Sequence, residues 1–174
     1  MNGIVLSRLN DQQRTLFRRQ HIGFIYQSFN LIETLSAAEN IEIPLQLNNV
    51  SRRDRLQRTQ AMLEIVGLGD RADAFPEQLS GGEQQRVAIA RAMVHRPALV
   101  LADEHTGNLD NTSSDAVMRL FDDLARETGQ AVLMVTHSRR IAATADRVMA
   151  ISNGLIETVD DGVPDDGRAG QSQR

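Results

Sequence analysis

Three apolar runs of strand length, each passing directly into polar residues, constrain this chain more than any other feature. Ala98-Leu99-Val100-Leu101-Ala102 runs into Asp103 and Glu104. Ala131-Val132-Leu133-Met134-Val135 runs into Thr136 and His137, and Arg147-Val148-Met149-Ala150-Ile151 precedes an Asn153-Gly154 turn. Strands that are apolar along their whole length are buried on both faces. Helical patterns separate them, so the fold class is α/β with a parallel sheet core. Ile22-Gly23-Phe24-Ile25-Tyr26 reads as a further strand, leaving through the loop Gln27-Ser28-Phe29-Asn30. Ile4-Val5-Leu6 reads as a strand remnant, and Asp11 to Gln20 as a short helix.

The stretch 30–96 reads as helical. Ser36 and Glu39 have capping-box spacing, as do Ser80 and Glu83, and Ser51 with Asp54 approximates it. The helix after Ser51 would place Leu56, Leu63 and Val66 on one stripe and stop near Gly67 or Gly69. The helix after Ser80 must end near Pro97. A helix from about Thr112 puts Val117, Leu120, Phe121 and Leu124 on one face, with Gly129 as its cap. Asn153-Gly154 predicts a turn that returns Leu155-Ile156-Glu157 as a β-arm. Residues 160–174 are rich in Gly, Asp, Gln and Ser and read as a disordered tail.

Composition narrows the function. The chain has 174 residues, enough for one domain with a core, and a net charge of -4, which argues against a nucleic-acid binder. All 19 basic residues are Arg, so no phosphate loop of the form GxxxxGK[ST] occurs in this sequence. Cysteine is absent, which removes disulfides, thiolate nucleophiles and Cys-based zinc sites. No apolar run approaches the roughly 18 residues of a membrane span.

Ligands of open α/β sheets bind at the carboxyl ends of strands. An acid at Asp103 suits Mg²⁺ held through water, and one at Glu104 suits a base for an attacking water. The same pair also suits a solvated strand end. His137 ends a second apolar run, where it would serve a phosphate or be structural. Leu79-Ser80-Gly81-Gly82-Glu83 places a hydroxyl and two glycines before a helix, where unpaired N–H groups favour an anion without any Lys. An ordinary Ser-capped turn has the same composition. His21, His95 and His105 have no metal-ligand spacing.

Taken together, these motifs resemble one family. LSGGEQQRVAIARA, from Leu79 to Ala92, is similar to the signature motif of ABC-transporter ATPase subunits. LVLADEHTGNLD, from Leu99 to Asp110, resembles their Walker B segment and D-loop. IGFIYQSFNLIETLSAAENI, from Ile22 to Ile41, resembles the Q-loop region, and Val135-Thr136-His137 the switch histidine. The resemblance spans about residues 3–158 and is strongest to the lipoprotein-release, macrolide-export and cell-division branch. It implies a P-loop NTPase fold of the ABC ATPase type, incomplete here. One partial ATPase domain would cover 1–159, with a helical subdomain at about 30–96 and the remaining core at about 97–159.

The resemblance also implies roles. ATP and Mg²⁺ are the expected cofactors. Gln27 and Asp103 would attend the metal, Glu104 would be the general base and His137 the switch. Ser80, Gly81 and Gly82 would cap the γ-phosphate of ATP held by an opposing subunit, and Asp110 would belong to the D-loop. The expected partners are a homologous ATPase subunit and an ABC transporter membrane subunit, on the cytoplasmic face of the plasma membrane.

The chain departs from the family pattern twice. His105 stands where the family has Pro, which removes a φ restraint and adds a titratable ring. The family's adenine-stacking aromatic, P-loop strand, P-loop and following helix belong ahead of residue 3, and the absence of Lys shows that they do not occur later. ATP binding and turnover by this chain alone are therefore expected to be weak. In the resembling fold the P-loop strand lies between the strands at 131–135 and 148–151, so both edges would be left unpaired, with collapse or disorder near Val148 to Ile151. A non-catalytic interaction fragment, or a partner that completes another subunit's site, is the alternative. A chromosome-maintenance or repair ATPase fits less well, given the compact spacing from Gln27 to Asp103.

Overall fold

The computed structural model describes residues 3–103, 111–152 and 154–159. They fall into two compact units, Met1–Val135 and Thr136–Arg174. The first unit contains α1 (Asp11–His21), β1 (Ile22–Ile25), α2 (Ala37–Leu47), α3 (Arg52–Ile65), α4 (Gly81–Met93), β2 (Leu99–Asp103), α5 (Asn111–Thr128) and β3 (Ala131–Val135). The second contains α6 (Arg139–Ala142), β4 (Val148–Ser152) and β5 (Leu155–Val159).

In the first unit β1, β2 and β3 form a parallel sheet in that order, with Ile25 opposite Ala102 and Asp103 opposite Val135. Parallel neighbours need a crossover, and the helical stretch between β1 and β2 supplies the first. Val100 and Ala102 of the central strand are buried, as are Val87, Ile89 and Met93 of α4, Ile41 and Leu45 of α2, and Val117, Phe121 and Leu124 of α5. α4 packs so closely on β1 that a Cβ at Gly23 would collide with the Ala92 carbonyl oxygen. Only glycine allows that approach.

The expected helix starts are present. Ser36 and Ser80 each form a complete capping box with Glu39 and Glu83, and Ser51 caps α3 through the Asp54 N–H. Gly67 and Gly129, at φ +68 and +66, follow α3 and α5.

Four expectations are corrected. Ile4 and Val5 are exposed and form no strand; the chain enters a 3-10 turn at Leu6–Arg8, and Asn10 then caps α1. Leu56 is exposed while Leu63 and Val66 are buried, because α3 is covered only from Thr59 onward. The run Ala131–Val135 is a strand but not a buried one: β3 is a sheet edge, only Met134 packs against the core, and Val135 is 57% exposed. The run at 148–151 is not a buried parallel strand but an exposed member of an antiparallel pair. β4 pairs antiparallel with β5, Gly154 lying in the turn before β5 and Ile151 opposite Ile156, with both side chains exposed. The hairpin satisfies one edge of β4 locally. Residues 160–174 lie outside the described residues.

Candidate nucleotide-facing site

The candidate element with the fullest set of hydrogen bonds is the N-terminus of α4. Ser80 has extended backbone angles and so stands as the N-cap. Its N–H donates to Glu83 Oε2 at 2.8 Å, its hydroxyl donates to the same oxygen at 2.7 Å, and Glu83 N–H donates back to Ser80 Oγ at 3.3 Å. The bonds from the Ser80 N–H and hydroxyl hold the Glu83 carboxyl below the ordinary glutamate value of 4.5, against a smaller burial effect, with Arg71 and Arg86 adding to the lowering. Arg71 lies 3.5 Å from Glu83 Oε1 and also donates to the Gln78 carbonyl. Gln84 Nε2 donates to the carbonyls of Pro76 and Leu79, which ties the preceding turn to the helix. The capping box serves the N–H groups of Ser80 and Glu83. Those of Gly81 and Gly82 remain at the positive end of the helix with no intrahelical carbonyl to meet. A phosphate oxygen suits that position.

A second group of residues gathers at the carboxyl ends of the parallel strands. Ile25 pairs with Ala102, so the turn carrying Gln27 and the exposed carboxylate of Asp103 leave the same end of adjacent strands. That end is the ligand-binding end of such a sheet, and an exposed carboxylate there fits a hydrated Mg²⁺. Phe29 N–H donates to the Tyr26 carbonyl and closes the turn around Gln27. Phe29 and Asn30 both have positive φ, 60° and 49°.

The remaining candidates belong to neither group as described. His137 is exposed and belongs to the second unit, which is described on its own. Glu104 and Asp110 lie outside the described residues, as does His105. The signature end and the Gln27 turn meet opposite ends of α4. The helical rise separates Ser80 from Arg91 by about 16 Å along the axis.

Sequence reasoning missed two residues that hold this arrangement. Arg91 donates to the Phe29 carbonyl at 2.8 Å and to the Asn30 carbonyl at 2.7 Å. Buried Asn40 accepts from Ile32 N–H and donates to the carbonyls of Ile32, Leu35 and Ser36, pinning the loop after the Gln27 turn. Arg91 stands inside the LSGGEQQRVAIARA run, but no local spacing connects it to a loop 62 positions away.

A parallel sheet with an acid ending its central strand, beside a helical layer whose last helix opens on Ser-Gly-Gly, defines an ATP-binding-cassette type of α/β protein. A family model described as "ABC transporter" matches residues 2–107. A "Lipoprotein-releasing system ATP-binding protein LolD 1" of Rhodospirillum rubrum is 44% identical over 90% of this chain and 69% of its own length. An uncharacterized ABC transporter ATP-binding protein of Mycobacterium tuberculosis is 48% identical, and the chain spans 63% of that relative's length. The solved dimeric post-hydrolysis state of the ATP-binding cassette MJ0796, bound to ADP and Pi, superposes with a TM-score of 0.78 at 38% identity, over 91% of this chain and 71% of that one. The chain belongs to the ABC transporter family. No helix among the described residues is long and apolar enough to cross a membrane.

Proposed function

We propose that residues 1–159 form part of an ATPase domain of an exporter-type ABC transporter, and that this stretch supplies the signature half of a composite ATP site. The observation that carries the reading is the α4 N-terminus, where Ser80 is the N-cap and Gly81 and Gly82 open the helix, their N–H groups having no intrahelical carbonyl to meet. Those groups cap the γ-phosphate of ATP held by an opposing homologous subunit. The dimeric cassette in the superposed structure supports an arrangement of this kind.

Gln27 and Asp103 serve Mg²⁺ in the chain's own half-site, with Glu104 as base, Asp110 as the D-loop acid and His137 as the switch. When bound, ATP and Mg²⁺ supply the scissile phosphoanhydride and its charge neutralisation. The lysine of the phosphate loop has no counterpart in these 174 residues. Alone, therefore, they bind ATP weakly and hydrolyse it negligibly. The helical subdomain at about 30–96 docks onto a membrane subunit, which places the domain at the cytoplasmic face of the membrane.

The test is ATP hydrolysis by a mixture of this chain with an intact homologous subunit. Turnover of the composite site should rise over that of the homologue alone and fall to its level with Ser80→Arg. Turnover indifferent to that substitution would exclude the signature role.

A further inference from the structure

The guanidinium of Arg91 is largely buried and bridges two successive carbonyls, those of Phe29 and Asn30. Both residues sit in the left-handed region, which asparagine tolerates and a bulky residue such as phenylalanine seldom adopts. Strained backbone of this kind persists only where its surroundings over-determine it. Here Asn40 pins the loop from residue 32 onward, and Phe29 N–H closes the turn onto Tyr26. The segment between them would be free to relax without a donor from outside. Arg91 is that donor, and its fork geometry suits two adjacent acceptors where the single ammonium of lysine does not. It projects from α4, the helix whose other end carries Ser80.

We propose that Arg91 is a positioning residue that locks the Gln27 turn to the signature helix, so that the two ends of α4 report on one another. The coupling rests on the functional reading above; the clamp itself does not. Neighbouring half-sites share this helix as a rigid strut, and a bonded contact at its far end fixes where the turn stands.

Tyr26 is the only tyrosine and tryptophan is absent, so tyrosine emission reads this turn directly. Arg91→Gln should raise acrylamide quenching of Tyr26 about twofold and amide exchange at Phe29 and Asn30 about tenfold, with exchange in Val87–Met93 unchanged. Arg91→Lys, which keeps the charge and the stem, should fall between and carries the comparison if the glutamine variant does not fold. In the mixture with an intact homologous subunit, Arg91→Gln should lower kcat about tenfold with little change in KM, because freeing the far end of α4 lets its Ser80 end shift by a fraction of an ångström against the opposing subunit's γ-phosphate. A merely structural role would lower the folded fraction and leave kcat per folded complex intact. Indifference of turnover to Ser80→Arg would remove the functional reading while leaving quenching and exchange to measure the clamp. Unchanged quenching and exchange in both Arg91 variants, or loosening spread evenly over α2 and α4, would overturn the clamp.

Discussion

The hydroxyl of Ser80 donates to Glu83 Oε2 at 2.7 Å, so the signature serine is held by its own helix. To meet a phosphate oxygen the hydroxyl must turn away from that carboxylate, while the Ser80 backbone stays fixed by its N–H bond to the same oxygen. Glu83 therefore preorganises the cap and leaves the hydroxyl as its movable part. Ser80→Ala removes the cap acceptor and should destabilise the fold by about 1 kcal/mol. Urea denaturation checks this, the expected sign being a lower midpoint with an unchanged slope.

Glu83 also makes stability depend on acid pH. Its folded pKa lies below the ordinary 4.5, so its contribution is full above that value and disappears as pH falls through the depressed one. Glu42 behaves alike: burial raises its carboxyl, but bonds from Arg55 and Gln46 outweigh that and the net shift is downward. The double variant Glu42→Gln, Glu83→Gln should show a flatter fall in melting temperature below pH 4.5 than the parent.

His95 acts from the neutral side. Burial pushes its imidazole below the usual 6.5, against a weaker opposing pull from the Ile22 backbone that falls short of hydrogen-bond geometry. The unfolded state then binds more protons between the two values, so stability falls as pH drops below about 6.5. His95→Gln should remove that slope, measured as the urea midpoint between pH 7 and pH 5.

Gln85 lies fully buried within the LSGGEQQRVAIARA run, and neither end of its amide finds a partner among the described residues. An unsatisfied buried polar group costs about 1–3 kcal/mol. Gln85→Met preserves the volume and should leave stability unchanged or raise it by about 1 kcal/mol. A loss above that size would show that the amide is bonded in solution.

Gly23→Ala should be the most damaging small substitution. The added carbon meets backbone at Ala92 and the Pro97 ring at 3.2 Å, neither of which swings aside. We expect loss of the cooperative thermal transition, whereas adding a methyl at Gly67, where φ is +68 and space is open, should cost about 1–2 kcal/mol of backbone strain alone.

What sequence could show follows from range. Both capping boxes join residues three apart, so Ser36–Glu39 and Ser80–Glu83 were legible from spacing alone. Asp103 at a strand end was legible because an apolar run stops there. The Arg91 clamp was not, since its partners lie 61 and 62 positions away and backbone carbonyls carry no sequence signal. Leu133 and Ile151 look like core residues in any local window, yet both are exposed. Burial depends on what covers a strand, which local pattern does not state.

Binding of Mg²⁺-ATP to the purified 174-residue chain tests the central claim most directly. Titration calorimetry should detect no tight saturable site, because the lysine loop that grips β- and γ-phosphate is not among these residues. Tight magnesium-dependent binding, with turnover abolished by Glu104→Gln, would contradict it.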